Sequence, residues 1–508
     1  MNTSPTVRCG DHVRTHDEVK VRAARLATAL SELGVGHGDR YAIVMRNCVE
    51  FVEASMAGAA IGAVPVPVNW HWTRDDLHHL LSDSGSKVVI VHTDLLPGVE
   101  SVLPTGVEVV EAGVPAAVAA AYLPVQPELT GRYPDLESLI DRSEPTTAPN
   151  TAPPLSVIYT SGTTGTPKGI VRQPVPPRDG QRLGQLMVEA LAFGDSRSTL
   201  IPTPLYHSAP NTHAMFAVTL GLDLEIMPRF DPEGLLRLVA DRRLEHIQMV
   251  PIMFSRLLKL PAEVRSDHDL SSLRSVVHAA APCPPEIKRA MIGWFGPIIH
   301  EFYGGSETGP VVICSSGDWL EHPGTVGRPF ADVEVRILDD GVEVATGETA
   351  EIYVRPPSAW PDFTYLDNEK KRRDMESDGF LSVGDIGRVD ADGFVYLSDR
   401  RNDMVNSGGV NIYPAEIESC IHALPGIGDV AVFGIPDDEY GEALACHVEL
   451  VDGATVDTDD IRDHVGRHLA RYKIPKVIVI DDRLPREDTG KLFKRRVKEQ
   501  YWTDRVDA

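Results

Sequence analysis

The sequence predicts an α/β multidomain protein: layered α/β units first, a β-rich zone after them, and a small α+β domain from about residue 401 onwards. Three observations carry this. The chain has 508 residues, well beyond the roughly 100–200 of a typical domain. Short apolar runs alternate with stretches of helical spacing along its first half, and strands separated by helices imply crossover units on a parallel sheet buried on both faces. The hydrophobic period then shifts towards two, and the pattern resets after Arg400.

In order, apolar residues recur at helical spacing from Asp17 to Leu33, and Gly34, Gly36 and Gly38 punctuate the chain before the strand-like run Tyr41 to Met45. Helices are expected around Val49 to Ile61 and Asp75 to Leu81, with a strand over Lys87 to Val91. The stretch from about Pro124 to Pro154, rich in Pro, Thr and acidic residues, reads as a surface excursion before the run Leu155 to Tyr159. Alternation continues through His246 to Val250, Ser275 to Ala279 and Pro284 to Phe295. The period of two in Val333 to Leu338 and Glu351 to Val354 predicts antiparallel sheet or barrel. Beyond residue 401, helices are expected at Pro414 to His422 and Thr458 to Leu469, with strands at Asp429 to Ile435, Cys446 to Leu450 and Lys476 to Ile480.

Composition narrows the function. With 42% hydrophobic and 24% charged residues the chain is globular in type. A net charge of -25 argues against nucleic-acid binding, which needs surplus Lys and Arg; anions must instead meet locally concentrated cations. Cys9, Cys48, Cys283, Cys314, Cys420 and Cys446 form no CxxC pair, so neither a zinc site nor a disulfide framework is signalled and a reducing cytoplasm fits. The first residues contain no apolar h-region and no run of about 18 apolar residues occurs, so neither export nor a membrane span is expected. Peripheral membrane contact stays open, as does a homodimer.

The most informative segment is Tyr159-Thr-Ser-Gly-Thr-Thr-Gly-Thr-Pro-Lys-Gly169, directly after an apolar run. Glycines at 162 and 165 expose backbone N–H groups that can nest an anion, the hydroxyls of Thr160, Ser161, Thr163 and Thr164 can donate to phosphate oxygens, and Lys168 supplies a mobile cation. That is a polyphosphate cradle; the bland alternative is a flexible surface turn. It is no Walker A loop, since Pro167 and Gly169 stand where that loop needs glycine and a hydroxyl.

This string resembles the phosphate loop of the adenylate-forming superfamily, and four further segments agree in order. Tyr303-Gly-Gly-Ser-Glu-Thr-Gly309 resembles its YGxTE segment, with Ser306 in place of threonine, and Ser382 to Asp385 resembles its TGD segment. Asp399 to Met404 with Gly408-Gly409 resembles the hinge segment, and Pro485 to Lys491 the C-terminal PxxxxGK segment. The resemblance implies a large N-terminal domain over 1–400 with a distorted β-barrel, a small mobile C-terminal domain over 401–508, and use of ATP, Mg2+ and coenzyme A.

It also implies roles. Glu307 would be the magnesium ligand with Thr160 as hydroxyl partner, consistent with a hard cation's preference for oxygen. Asp385 would accept the ribose hydroxyls and Arg400 would contact ribose or phosphate. Adenine would stack on Tyr303 and approach Ala280, Ala281 and Pro282, with Gly304, Gly305 and Ser306 completing the nucleotide site. Lys491 would be the catalytic lysine contacting carboxylate and α-phosphate; read alone, Gly490-Lys491 marks only the start of a basic helix. Asn402 stands at the hinge, where most members carry Asp or Lys, and Gly408-Gly409 would approach the pantetheine tunnel.

The resemblance also implies an acyl pocket around His207, Phe254, Ala279, Gly305 and Val311, mostly small or apolar residues that suit a hydrophobic, fatty or bulky acid. His207 either lines this pocket or is a packed structural histidine. Ser208 to His213 lacks the aspartate that amino-acid-activating members use, and no carrier-domain segment follows Lys491, so coenzyme A is the expected acceptor; loading of a carrier protein, or activation of an aryl acid, remains the alternative. A hydrolase is excluded because Gly304-Gly-Ser306-Glu-Thr308 breaks the GxSxG elbow at its last position. The segment Arg172 to Arg178 stands where relatives carry a Ser-His helix start, and the sequence gives it no function.

Overall fold

The computed structural model describes residues 4–72, 74–146, 155–160, 167–176, 178–400, 403–407, 410–437, 439–486, 492 and 494–503. Its backbone follows the alternation. The helix His16–Glu32 starts at a capping box, Thr15 accepting from the Glu18 N–H while Glu18 accepts from the Thr15 N–H, and buries Val19, Leu26 and Leu30. Parallel strands Val64–Pro67, Arg40–Val44, Val88–His92 and Glu108–Ala112 form one sheet, and all five residues of Val88–His92 are buried, as a strand covered on both faces requires.

A second, nine-stranded sheet holds the middle of the chain. Its parallel centre runs Ile299–Gly305, Ser275–His278, His246–Met249, Ser198–Ile201, Asp223–Ile226 and Thr6–Cys9. The Thr6–Cys9 and His12–Thr15 hairpin is a structural addition to the sequence reading: Val7 and Cys9 are fully buried although the segment is too short for a periodicity signal. The β-rich zone forms an open, branched antiparallel half-barrel, in which Ala350–Arg355 pairs with Glu334–Asp339 and also with Asp385–Val389. A five-stranded sheet, dominated by the long pair Ile427–Asp437 and Gly441–Leu450, organises the C-terminal part.

One expectation is corrected. The stretch read as a surface excursion contains the helix Leu136–Arg142, capped by Asp135, and Leu136, Leu139 and Ile140 are buried in the main core. Its Pro- and acid-rich surroundings hid three apolar residues at helical spacing.

The parallel topology positions the site. The segments after Ile201, Met249 and His278, and the end of Ile299–Gly305, all lie at the carboxyl ends of neighbouring parallel strands, where open α/β sheets place their ligand crevices.

Candidate active site

A cavity of about 870 Å³ opens at those strand ends, within the range of small-molecule sites. Its lining includes the apolar Leu183, Met187, Met215 and Phe216 and the charged Glu307, Lys371 and Asp385. Ala279, Ala280 and Ala281 form part of the wall, and Ala280 has φ +74°, a backbone that turns sharply after the strand Ser275–His278.

The glycine- and hydroxyl-rich segment 159–169 is flanked by paired strands: Ile158–Thr160 pairs antiparallel with Lys168–Arg172, with Thr160 opposite Lys168. Ser161, Gly162, Thr163, Thr164 and Gly165 lie outside the described residues, as does the Thr160 side chain. The third strand of this small sheet is Phe363–Tyr365, with Phe363 opposite Arg172.

Glu307 is held from three sides. Its Oε1 accepts from the Tyr365 hydroxyl at 2.8 Å, while its backbone carbonyl accepts from Trp360 Nε1 and from an Arg172 guanidinium N–H, each at 3.4 Å. Arg172 donates also to the Pro361 carbonyl at 3.5 Å and lies 4.6 Å from the Trp360 ring centroid. Burial pushes the Arg172 guanidinium down to about 10, opposed by the Glu307 and Asp362 charges. Burial, reinforced by the carboxylate of Glu307, pushes the Tyr365 phenol up, so it remains a donor. A divalent cation such as magnesium is ordinarily held by one or two carboxylates plus substrate phosphates, and a Glu307 carboxylate fixed by Tyr365 at the cavity wall fits that oxygen chemistry.

Glycines permit close packing here. A Cβ at Gly304 would stand 2.0 Å from the Gly309 carbonyl, and one at Gly309, where φ is +68°, would stand 2.3 Å from the Trp360 ring. The Thr308 hydroxyl accepts from the Gly305 N–H at 3.0 Å, and Ser306 Oγ lies 3.3 Å from Ser208 Oγ.

Tyr303 donates its hydroxyl to Asp385 Oδ2 at 2.7 Å, tying the nine-stranded sheet to the half-barrel. Asp385 lines the cavity, whereas the Tyr303 side chain and Pro282 are not part of its described wall. Arg400 pairs with Asp385 in the strand ladder, its side chain lying outside the description. His207, Gly304, Gly305 and Ser306 line the cavity. Phe254 and Val311 do not: Phe254 is fully buried edge-on against His278, and Val311 belongs to the main core. Asn402, Gly408, Gly409 and Lys491 fall outside the described residues. Sequence reasoning missed Trp360, Tyr365 and Lys371; Trp360 and Tyr365 offered no signal beyond two aromatics in a Pro-containing segment.

The chain is similar to known proteins along nearly its whole length. The AMP-binding enzyme family matches residues 3–361 and the AMP-binding enzyme C-terminal domain matches residues 416–491. A long-chain-fatty-acid–CoA ligase of Mycobacterium tuberculosis is 32% identical over 96% of this chain and 93% of its own length. A feruloyl-CoA synthase of an Amycolatopsis species is 32% identical over 97% and 95%. The structure of ATP-bound MatB from Rhodopseudomonas palustris superposes with a TM-score of 0.82 at 27% identity, covering 98% of this chain and 96% of that one. The chain belongs to the AMP-binding enzymes of the adenylate-forming superfamily and is an AMP-forming acid–thiol ligase.

Proposed function

We propose that this ligase activates a hydrophobic carboxylic acid, fatty or otherwise bulky, as its acyl-adenylate and then transfers the acyl group to coenzyme A. The observation that carries the reading is that one cavity is lined both by apolar Leu183, Met187, Met215 and Phe216 and by the carboxylates Glu307 and Asp385. An acid whose tail packs against the first set shares the cavity with the second.

The chemistry follows from charge. Carboxylate attack on the α-phosphate brings two anions together, so the site must supply cations and preorganised donors where charge accumulates. In this reading the 160–168 segment cradles the phosphates, Asp385 and Arg400 hold the ribose, and Lys491 bridges carboxylate and α-phosphate. Glu307, with the Thr160 hydroxyl, holds magnesium, which when bound neutralises phosphate charge. His207 lines the acid's path. The part of the chain from about residue 401, hinging near Asn402, changes pose between the two steps and brings Gly408 and Gly409 to the thiol; one adenylate site then serves both half-reactions.

The test is acid-dependent pyrophosphate release with Mg-ATP over short, medium, long, aromatic and polycyclic acids, with and without coenzyme A, the acyl product being followed by mass. Acyl-CoA from a bulky hydrophobic acid, formed only when coenzyme A is present, is the expected result. Acyl-AMP that accumulates regardless of coenzyme A overturns the second step, and a preference for acetate overturns the substrate class.

A further inference from the structure

The helix Glu369–Asp374 follows directly on the strand that carries Tyr365, and its Asn368 cap accepts from the Lys371 N–H at 3.1 Å. This cap starts the helix so that Lys371 turns back over the strand, its Nζ lying 4.6 Å from the Tyr365 ring centroid. Lys168, at the start of the neighbouring strand Lys168–Arg172, is near enough for its charge to act on the Lys371 ammonium. Tyr365 in turn holds Glu307. Two lysines therefore stand at the same end of one small sheet, where the Leu366 N–H donates to the Gly169 carbonyl at 2.9 Å, near one fixed carboxylate, in a chain of net charge -25.

Bringing two like charges together is unfavourable unless an anion joins them. Burial and the neighbouring Lys168 charge together push the Lys371 ammonium down to about 8, with Glu307 opposing. Among the described residues, no carboxylate lies within ion-pairing distance of Lys371; the Glu307 charge acts on it across Tyr365. Lys371 borders the same cavity as Glu307 and Asp385, and polyphosphate is the anion whose spaced charges match two lysines.

We propose that Lys371 is a polyphosphate-binding residue, which closes with Lys168 on the β- and γ-phosphates of ATP and holds the departing pyrophosphate. None of the motif segments contains it. The inference rests on the ATP-binding part of the proposed function and is independent of which acid is activated. During adenylation the bond from the α-phosphorus to the bridging oxygen breaks and its electron pair leaves on pyrophosphate, so a cation at Lys371 stabilises the leaving group without touching the acid.

The test is calorimetric titration of the full chain with Mg-ATP, with inorganic pyrophosphate plus magnesium, and with AMP, comparing Lys371→Ala, Lys371→Arg and, as an exposed control on the same helix, Lys370→Ala. Lys371→Ala is expected to weaken ATP and pyrophosphate by about tenfold, the scale of one charge-assisted contact, while AMP affinity stays unchanged. Lys371→Arg keeps the charge and stays within about threefold of wild type, and Lys370→Ala matches wild type. Unchanged ATP and pyrophosphate affinity in Lys371→Ala, or equal weakening of AMP, overturns the proposal. A protein that shows the Lys371 dependence yet releases pyrophosphate with no acid of the panel supports this site and sinks the substrate reading alone.

Discussion

The Tyr365 hydroxyl donates to Oε1 of Glu307 over 2.8 Å, so the carboxylate at the centre of the candidate site is oriented by a phenol 58 residues further along the chain. Tyr365→Phe removes that donor and leaves the ring. Hydrogen bonds to charged groups contribute about 1.5–3 kcal/mol, so pyrophosphate release is expected to fall by roughly tenfold or more, with a raised magnesium requirement. Steady-state rates over a magnesium titration check this; a wild-type magnesium profile in the variant removes Tyr365 from the site.

Asp385 accepts from Tyr303 and borders the cavity. If its carboxylate takes the ribose, Asp385→Asn raises KM for ATP by about tenfold, since a charged acceptor is lost, whereas Tyr303→Phe costs less because it leaves that acceptor in place. Initial rates against ATP separate the two. A larger KM effect from Tyr303→Phe than from Asp385→Asn argues that the carboxylate serves the sheet contact and not the nucleotide.

Gly309 combines φ +68° with a Trp360 ring 2.3 Å from where a Cβ would stand. Gly309→Ala is expected to destabilise the fold by about 1–3 kcal/mol through backbone strain, and to displace the Trp360 ring on which Arg172 lies. Urea denaturation gives the stability change, and intrinsic tryptophan emission reports the ring. An unshifted midpoint contradicts the packing described.

Lys491→Ala tests the catalytic lysine inferred from the C-terminal segment. Adenylation is expected to fall by about 10²–10³, as for loss of one transition-state donor, while acyl transfer from supplied acyl-AMP to coenzyme A persists. Rapid-quench measurement of the two half-reactions separates them, and unchanged acid-dependent pyrophosphate release ends the assignment.

Acid sensitivity follows from His92, His213, His246 and His278, all fully buried. Burial pushes each below the usual histidine value, His92 to about 3 and His246 to about 4. The folded state then binds fewer protons than the unfolded one, so stability is full above the unfolded value near 6.5 and declines as pH falls from there towards the folded values. Each histidine costs about 1.4 kcal/mol per pH unit over that window. Denaturation midpoints between pH 7.5 and 5 check the slope, with His246→Gln reducing it; a midpoint that rises on acidification contradicts the sign.

The local sequence determined what local physics encodes. Apolar spacing marked the helix His16–Glu32 and the strands Arg40–Val44 and Val88–His92, and the ordered motif segments located the family, Glu307 and Asp385 before any coordinates. A short helix within a Pro-rich stretch escaped because three apolar residues give no clear period, and Phe254 and Val311 were placed in the pocket although packing puts them in the core. Only the tertiary structure assembled Arg172, Trp360, Tyr365 and Lys371 around Glu307. Arg172 is 135 residues from the carbonyl it holds, and its position depends on the register that sets Phe363 opposite it. Periodicity is a property of neighbours along the chain, whereas that assembly depends on sheet pairing across it, and so the cations of an acidic protein became a site only once the strands had met.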